Sequence, residues 1–390
     1  MKKIGIYLFL FCIFNINSIA QTEISGGIYE NTSWTLEESP YVVTASIVVF
    51  DDVEITIEPG VELRFNPATN LELRGKLTAI GTATDSILFT SNADEPARHD
   101  WNGIKVIGNA DPIYDGGQVT MHYVRGEFSK TFIDMDIAYN GPYLYKNCTF
   151  FDNSKVNEDG GAPLTKFEGC VFRENGQGVD WCQFDSEVIG CHFLDNGQGL
   201  TGIDLIENCY FSGNTVALSP YGETINCIVK NNDVGVKCGF NAVNNTFTGN
   251  TVFGNTVGVE IQSYFNESVT FTGNTICNNS FYDIKYLAWN NADLSNNCWC
   301  SDQIDEIAGN IYDGYDNASF GLVSFDPFNT NCGLASLSPN EMEPSFTIYP
   351  NPFANELTFT TNHSNEVTLT FTDVSGKIIF RTAFTESIHI

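Results

Sequence analysis

One short phrase recurs seven times between residues 148 and 274, and it constrains the fold of this 390-residue chain more than any other feature. Each copy contains β-forming residues, and each ends in Asn. The starts of successive copies lie 22, 21, 18, 18, 18 and 24 residues apart. A repeat of this length without helical periodicity is typical of a β-solenoid. The copies occupy residues 148–153, 170–175, 191–196, 209–214, 227–232, 245–250 and 269–274.

The first and third positions of a copy are predicted to face the core, because side chains two residues apart lie on the same side of a strand. Stacked coils then place equivalent residues about 4.8 Å apart in columns. One predicted column contains Cys148, Cys170, Cys191, Cys209 and Cys227, and the next contains Phe150, Phe172, Phe193, Phe211, Val229, Phe247 and Phe271.

The closing Asn of each copy predicts a turn, since Asn tolerates the left-handed backbone conformation and bonds to nearby backbone groups. In a stack, each amide can also bond to the amide of the next coil. After most turns an apolar stretch resumes, which predicts a second strand in each coil, with Val179, Leu200, Leu218, Val236, Val259 and Ile284 facing inward. We therefore predict an all-β fold, a right-handed parallel β-helix. A leucine-rich repeat is the alternative, but the regularly spaced leucines that it requires are absent.

The charge and the N-terminus predict an exported, soluble protein. The formal net charge of −30 repels nucleic acid and anionic membranes. Residues 1–20 combine Lys2 and Lys3, an apolar run, and small residues at Ser18 and Ala20, as in a signal peptide cleaved before Gln21. No later segment is long and apolar enough to span a bilayer.

Eleven cysteines remain after this cleavage. We interpret the five in the column as small buried hydrophobic residues, because parallel side chains are poorly placed for bridging. Cys298, Cys300 and Cys332 lie outside the repeats, and one bridge from the first two to Cys332 would close the end of the coil. A metal site there would need more ligands than the sequence offers.

Two segments of the chain resemble bacterial right-handed β-helix proteins of the pectin-lyase-like superfamily. The first carries Trp-Thr at 34–35, Ser-Pro-Tyr-Val-Val at 39–43, Ile-Thr-Ile-Glu-Pro-Gly-Val at 55–61, Gly-Lys-Leu-Thr-Ala-Ile-Gly-Thr at 75–82 and Trp-Asn-Gly-Ile at 101–104. Residues 297–328 resemble the closing coil of the same proteins. Because that superfamily contains lyases, hydrolases, adhesins and proteins without known activity, the resemblance implies the fold and no particular reaction.

A short helix is predicted to cap the end of the coil. Ile304, Ile307 and Ile311 lie at helical spacing behind Ser301, which we interpret as the N-cap. Such a helix would shield the open edge of the last coil.

The C-terminal part resembles the sorting domain of type IX secretion substrates in Bacteroidota. The resemblance rests on Tyr-Pro-Asn-Pro at 349–352 and on Asp373, Gly376 and Lys377. It implies a small β-sandwich and export by the type IX secretion machinery. That family continues with a Gly-Ile-Tyr strand and a basic end that do not follow here, so we expect a shortened domain. The predicted organisation is a signal peptide (1–20), a β-helix with its cap (21–332), a linker (333–344) and a sorting domain (345–390).

Candidate catalytic residues follow from the second strand of each coil. If the apolar positions face inward, the next residues form an outward column of Asp180, Thr201, Ser219, Lys237, Glu260 and Lys285. Lys237 beside Glu260 is one candidate pair, a base and a carboxylate neutraliser for β-elimination. A solvated face with an ordinary ion pair is the alternative that we favour.

Other candidate acids and ligands are weaker. Asp180, Asp185, Asp195 and Asp204 are candidates for glycosidase carboxylates, but chance proximity is expected in a chain with 48 acidic residues. His122 and His192 are isolated, and His192 is predicted to point outward. Asp111 and Asp115 offer calcium ligands without the spacing of a calcium loop, so we expect a solvated turn and no cofactor.

Aromatic residues suggest a binding function instead. Five lie within two coils near the end, and exposed rings can stack on the flat faces of sugars. Two of them, Tyr282 and Tyr286, share the inward parity of Ile284, which leaves Tyr264, Phe265 and Trp289 as ligand candidates. Our hypothesis is a secreted or cell-surface protein that binds polysaccharide or other surface material, which predicts binding without turnover. The alternatives are a polysaccharide lyase or glycoside hydrolase and a structural or adhesive stalk.

Overall fold

The computed structural model of this protein describes residues 21–108, 116–136, 142–159, 164–180, 182, 185–239, 245–266, 268–330 and 332, together with the C-terminal strands given below. The chain divides into two compact units, Met1–Cys332 and Gly333–Ile390. The predicted signal peptide, the turn with Asp111 and Asp115, and the predicted linker lie outside the described residues.

The first unit is a coil of short strands, numbered here in chain order. Its N-terminal part has a 3-10 helix at Leu36–Glu38 and the strands β1 (Thr22–Ile28), β2 (Thr32–Trp34), β3 (Tyr41–Val49), β4 (Glu54–Ile57), β5 (Glu62–Phe65), β6 (Asn70–Leu73), β7 (Lys76–Ile80), β8 (Ile87–Ser91), β9 (Gly103–Ile107), β10 (Gln118–His122), β11 (Val124–Glu127) and β12 (Thr131–Asp136).

The strands of the repeat region are β13 (Tyr143–Lys146), β14 (Thr149–Phe151), β15 (Lys155–Asp159), β16 (Thr165–Glu168), β17 (Val171–Arg173), β18 (Gln177–Asp180), β19 (Glu187–Ile189), β20 (His192–Leu194), β21 (Gln198–Thr201), β22 (Leu205–Glu207), β23 (Tyr210–Ser212), β24 (Val216–Ser219), β25 (Glu223–Ile225), β26 (Ile228–Lys230), β27 (Val234–Cys238), β28 (Thr246–Thr248), β29 (Thr251–Phe253), β30 (Val257–Ile261), β31 (Thr270–Thr272), β32 (Thr275–Cys277) and β33 (Tyr282–Tyr286). Three short strands, β34 (Ala292–Asp293), β35 (Ile311–Tyr312) and β36 (Val323–Ser324), follow them.

Successive coils stack these strands in parallel into three sheets. Sheet I contains β5, β8, β11, β14, β17, β20, β23, β26, β29 and β32. Sheet II contains β6, β9, β12, β15, β18, β21, β24, β27, β30, β33 and β35. Sheet III contains β2, β4, β7, β10, β13, β16, β19, β22, β25, β28 and β31. Because β3 pairs with both β5 and β6, sheets I and II join at the N-terminal end. The predicted parallel β-helix is confirmed.

The predicted inward positions of the first copies fill the core. The rings of Phe172, Phe193 and Phe211 are fully buried and stack on one another, with centroids 4.5 and 4.8 Å apart. This spacing follows from the distance between strands, about 4.8 Å. Burial of each ring contributes about 2–3 kcal/mol to the stability of the coil. All six inward residues predicted for the second strands are fully buried as well.

The sixth and seventh copies of the phrase lie in a different sheet from the first five, so this part of the prediction is wrong. Phe247 and Phe271 pair with each other in sheet III. In sheet I, Val229 is followed by Val252 and Ile276. The loop between β27 and β28 is longer than its counterparts in earlier coils. A step of 18 residues from Cys227 therefore reaches the start of β28 in sheet III and does not reach β29, the next strand of sheet I.

A buried ladder of Asn side chains runs along the turn between sheets I and II. The Nδ2 group of Asn196 donates to Oδ1 of Asn214 at 3.0 Å, and the backbone N–H of Asn196 donates to the same oxygen at 2.9 Å. The same arrangement repeats from coil to coil, which confirms the predicted amide ladder. Its members are Asn153, Asn175, Asn196, Asn214, Asn232, Asn255 and Asn279.

The left-handed conformation lies one residue before the ladder Asn, so the reason first given for Asn at this position is wrong. Asp152, Glu174 and Asp195 have φ values of 48°, 56° and 57°. The turn is made by the preceding residue, and the Asn side chain points inward because its amide has partners in the neighbouring coils.

The cysteine column continues as a second Asn ladder at the turn between sheets III and I. The backbone N–H of Cys191 donates to Sγ of Cys209 at 3.4 Å, and that of Cys227 donates to Oδ1 of Asn250 at 2.8 Å. Asn250 is followed by Asn274. The five thiols are free and buried, as predicted, and burial raises the pKa of Cys191 and Cys209. Sulfur therefore takes the place of the amide oxygen as a weak acceptor in these coils.

The end of the coil is closed by a strand as well as by a helix. Helix α1 (Ile304–Gly309) has Gln303 as its N-cap, not Ser301 as predicted, and Ser301 Oγ accepts the N–H of Gln303 at 3.1 Å. Ile304 is exposed and Ile307 is buried. Ile311 lies in β35, which pairs with β33, so the last edge of sheet II is covered by a strand.

Two disulfides bind the last coils together. The bridge between Cys298 and Cys332 was predicted as one of two choices. The bridge between Cys277 and Cys300 was not predicted, and it ties the last strand of sheet I to the closing segment.

The second unit contains antiparallel strands. β37 (Phe346–Tyr349), β38 (Thr358–Thr361) and β41 (Ser387–His389) form one sheet, and β39 (Val367–Thr372) pairs with β40 (Ile378–Phe384). Within the described residues, no helix has the length and apolar character needed to cross a membrane.

Candidate binding groove

The outward side chains of sheet II form the predicted column. Glu260 lies opposite Lys237 on one neighbouring strand and opposite Lys285 on the other. Towards the other end of the column, Asp180 lies opposite Thr201. Side chains from separate coils are thus brought side by side, as the alternation of the second strands requires.

Glu260 is buried between the two lysines, with 7% of its surface exposed. Lys285 Nζ lies 2.7 Å from Oε2, and Lys237 Nζ lies 4.0 Å from Oε1. Gln262 Nε2 donates to Oε1 at 2.6 Å. Both carboxylate oxygens are therefore engaged, as a buried charge requires. Two cations beside one carboxylate leave an excess positive charge at this point of a strongly acidic chain.

A groove of about 440 Å³ lies beside this column, at the end of the sheet II strands. Lys237 forms part of its wall, and its side chain is 40% exposed. Gln198 Nε2 donates to Ser219 Oγ at 3.4 Å on the same wall. The groove therefore presents ammonium, amide and hydroxyl groups to a ligand. Its lining consists of Gln198, Thr201, Val216, Ser219, Pro220, Tyr221, Lys237, Cys238, Gly239, Gln262 and Ser263.

An exposed aromatic pair lies one residue beyond this lining. Tyr264 follows Ser263, and its ring lies 5.5 Å from that of Trp289 with a tilt of 34°. Tyr264 is 38% exposed and Trp289 is 71% exposed. Phe265 is only 3% exposed and packs in the core, so its prediction as a ligand residue is wrong. Consecutive residues of this segment thus have different environments, with Tyr264 at the surface and Phe265 in the core.

The other two rings of this region differ from each other. Tyr286 is fully buried, as predicted, and donates its hydroxyl to the backbone oxygen of Asn290 at 2.6 Å. Tyr282 is only half-buried and packs on the ring of Tyr312. The inward prediction for Tyr282 fails because Asp283, the next residue, occupies the inward position.

The candidate glycosidase carboxylates are distributed over different parts of the coil. Asp180 ends β18 in sheet II, and burial raises its pKa. Asp195 makes the turn between sheets I and II. Asp185 and Asp204 flank Ser186 at the approach to sheet III, where Ser186 Oγ accepts the N–H of Asp204 at 3.3 Å. Asp180 and Asp195 therefore lie in other parts of the coil than Asp185 and Asp204, and the four carboxylates do not form one cluster.

The two histidines point outward from different sheets. His122 ends β10 in sheet III, and His192 begins β20 in sheet I. Burial lowers the pKa of His192, whose ring lies 5.5 Å from that of Tyr210. Among the residues that the structure describes, no group of three or more His, Cys, Asp or Glu side chains is arranged to hold a metal ion.

The sequence analysis missed the contribution of Gln198 to the groove. Strict alternation predicts that Gln198 faces inward, two residues before Leu200. In the structure Gly199 and Leu200 both face inward, and Gln198 faces out. A Cβ atom on Gly199 would lie 2.3 Å from the backbone oxygen of Ala217, so only glycine fits here without a shift of the backbone. The sequence signal for this arrangement was the pair Gly199 and Leu200, since a glycine before an apolar residue allows two consecutive residues to face inward.

Two models of known families match parts of the chain. A family model described as a pectate-lyase like beta helix domain matches residues 26–135, and one described as a secretion system C-terminal sorting domain matches residues 347–390. The chain contains a pectate-lyase-like β-helix domain and a secretion sorting domain. The sorting domain identifies the β-helix protein as a cargo of type IX secretion, released from the cell or held at its surface.

Other similarities are local or distant. The protein is 32% identical over 104 residues to protein bark beetle of Drosophila melanogaster, a match that covers 25% of this chain and 3% of that protein. The A-module of mannuronan C-5 epimerase AlgE4 from Azotobacter vinelandii is 11% identical, with a TM-score of 0.35, over 77% of this chain and 89% of that module. The A-module of AlgE6 from the same organism is 12% identical, with a TM-score of 0.29, over 73% of this chain and 75% of that module.

Proposed function

We propose that this secreted protein binds polysaccharide outside the cell through the groove beside sheet II and the adjoining aromatic pair. The observation that carries the proposal is the exposure of Trp289 and Tyr264, whose ring centroids lie 5.5 Å apart, together with the position of Tyr264 directly after the groove residue Ser263 in the sequence. Large aromatic rings are usually buried, and rings held at a polar surface are suited to ligands with both apolar faces and hydroxyl groups. Sugars have this chemistry.

The polar side chains of the groove support the same proposal. Gln198, Gln262 and Ser219 can donate and accept hydrogen bonds, and Lys237 adds a charged donor. Hydrogen bonds from such groups would orient a sugar whose ring face contacts the aromatic pair. Binding sites for small ligands typically combine apolar surface with a few polar groups in this way.

Binding is favoured over catalysis by the state of the candidate catalytic pair. Glu260 receives Lys285 and Gln262 on its two oxygens, so its carboxylate is already engaged in protein contacts. Lys237 lies beside the same carboxylate. This arrangement resembles an ion pair on a sheet face, and it lacks the focused set of acid, base and electrophilic groups that a lyase requires.

The test uses the mature protein from Gln21 and a panel of neutral and acidic polysaccharides, with and without calcium. Retention on each polysaccharide and release of unsaturated or reducing ends are measured together. We expect retention without product. Trp289→Ala and Tyr264→Ala should each weaken binding about tenfold, since an aromatic contact contributes roughly 0.5–1.5 kcal/mol beyond its buried area.

Tyr315→Ala is the matched control, because Tyr315 is 86% exposed and lies outside the groove lining. Equal losses in the control and in the two groove variants would contradict the proposal. Release of product from any polysaccharide would favour a lyase or hydrolase, and absence of both binding and product would favour a stalk.

A further inference from the structure

A row of four aromatic rings lies at the closing end of the coil. Phe281 precedes β33, Tyr282 begins it, Tyr312 ends β35, and Phe320 lies in the loop that follows β35. Successive ring centroids along this row lie 4.8, 5.4 and 6.2 Å apart. Phe281 is 66% exposed, and the other three side chains are half-buried. We call these four residues the closing-end row, and none of them lines the groove.

Other half-buried rings of this protein are covered by a cation from the same chain. An aromatic face attracts cations, because the ring carries partial negative charge on its two faces. Three rings elsewhere on the coil have an Arg or Lys 5.3–5.5 Å from the ring centre. They are Phe50 under Arg74, Phe151 under Arg125 and Tyr210 under Lys230. At these places the fold itself supplies the partner of the ring.

The closing-end row has no such cation within the described part of the chain. Between residues 281 and 322, Lys285 is the only Lys or Arg in the sequence. Lys285 lies opposite Tyr312 in the sheet, but its Nζ lies 2.7 Å from Glu260 on the strand at its other side. Among the described residues, the cations that lie over rings cover none of the four rings of the row. The row is therefore open to a cation from outside the chain.

The charge around the closing-end row favours a cationic partner as well. Residues 281–322 contain seven carboxylates against this one lysine, namely Asp283, Asp293, Asp302, Asp305, Glu306, Asp313 and Asp316. Asp316 is exposed on the loop that joins Tyr312 to Phe320. Its Oδ2 accepts the N–H of Asp313 at 3.1 Å, which holds this carboxylate on the loop. A second copy of the chain would bring the same negative charge to this place, so repulsion disfavours pairing of two copies through the row.

We propose that the closing-end row binds a basic segment of a partner protein, whose Lys or Arg side chains lie over the rings. Side chains on one face of an extended segment are about 6.6 Å apart. This distance is close to the 5.4 and 6.2 Å between the ring centroids, so neighbouring rings can receive successive basic residues of one segment. Arg should bind better than Lys, because its planar guanidinium group stacks on aromatic faces. The row would be a protein-binding site that acts independently of the groove.

The test measures binding of short fluorescent peptides to the full mature chain by anisotropy. Three peptides of equal length alternate Thr with Arg, with Lys or with Gln. We expect the affinity to fall in that order and to decrease with added salt for the two basic peptides. Phe281→Leu and Tyr312→Leu should each lower the affinity for the Arg peptide about three- to fivefold, since each change removes a ring and leaves the net charge unchanged.

Tyr29→Leu is the matched control. Tyr29 is 70% exposed near the N-terminal end of the coil, and its ring stacks on that of Phe50 at 4.4 Å. A peptide held only by the negative charge of the whole chain would bind all three variants equally, because none of them changes that charge. Equal urea midpoints would establish that the fold is retained. If the half-buried Tyr312→Leu has a lowered midpoint, the exposed Phe281→Leu decides the test.

Several outcomes would overturn the proposal. These are an unchanged affinity for the Arg peptide in both ring variants, an equal loss in Tyr29→Leu, and equally strong binding of the Gln peptide. Equally strong binding of spermine would indicate a small amine as the ligand, and displacement of the Arg peptide by dextran would indicate a sugar site. The groove is tested separately, since Trp289→Ala should weaken polysaccharide binding and leave peptide binding unchanged.

Discussion

Replacement of Asn214 by Ala should destabilise the middle of the coil more than almost any other single change. The Asn214 side chain accepts two hydrogen bonds from Asn196, at 2.9 and 3.0 Å. It donates to the backbone oxygens of Phe193 and Ser212 and to Oδ1 of Asn232, at 2.9, 3.2 and 2.9 Å. All five bonds are lost in Asn214→Ala.

The magnitude follows from the groups that remain buried. The backbone N–H of Asn196 and one hydrogen of its Nδ2 group lose their acceptor, while the other hydrogen still donates to Phe172 O at 2.9 Å. A buried donor without a partner costs about 1–3 kcal/mol. Two such donors give about 4 kcal/mol, before any contribution from the cavity left by the amide.

Native-state hydrogen exchange measures this effect locally, which suits a solenoid whose coils do not unfold as one unit. We expect the protection of the Asn196 amide to fall about a thousandfold, since each 1.4 kcal/mol is a factor of ten. Thr215→Ala is the control on the exposed side of the same turn and should change stability by less than about 0.5 kcal/mol. A loss below about 1 kcal/mol in Asn214→Ala would refute the argument from unsatisfied donors.

Two further predictions concern the ends of the ladders. Asp283 accepts from Asn279 at the end of the first ladder, and burial raises its pKa from 3.8 to about 6, so the folded state binds this proton more tightly than the unfolded chain. The resulting stabilisation, about 3 kcal/mol, is complete below pH 3.8 and is lost as the pH rises through 6. Asp283→Asn should therefore raise the urea midpoint at pH 7.5 and flatten the dependence of the midpoint on pH. An unchanged pH profile in this variant would contradict the prediction. Cys227→Asn should extend the second ladder by one amide next to Asn250 and increase the free energy of unfolding by about 1 kcal/mol. A lowered urea midpoint in this variant would show that the column requires sulfur at this position.

Much of the fold could be predicted from the sequence because its main restraints are local. Inward positions such as Phe172 and Phe193 follow from the alternation of side chains along a strand, and equivalent residues then stack at the strand spacing. The ladder of Asn amides was predictable for the same reason. The aromatic pair was predicted only in part, because Phe265 packs in the core while Tyr264 and Trp289 are exposed, and the sequence pattern does not distinguish these three positions.

The assignment of copies to sheets was not predictable from the phrase itself. The turns before Asn232 and before Asn250 are built alike, with a left-handed residue at Asn231 and at Gly249 followed by an inward Asn. The same short phrase therefore suits the turn after sheet I and the turn after sheet III. Only the length of the intervening loop decides which turn a copy makes.

The sequence by itself determined that this chain coils into stacked parallel strands, that Cys, Phe and Asn line its interior, and that a sorting domain follows. These properties depend on neighbouring residues and on a short repeat. The tertiary structure alone decided where strict alternation breaks down, since Gln198 faces out beside the inward Gly199 and Phe265 is buried in the core. The groove exists because contacts between coils join residues about 20 positions apart, such as Thr201 and Ser219, and loop lengths set their register.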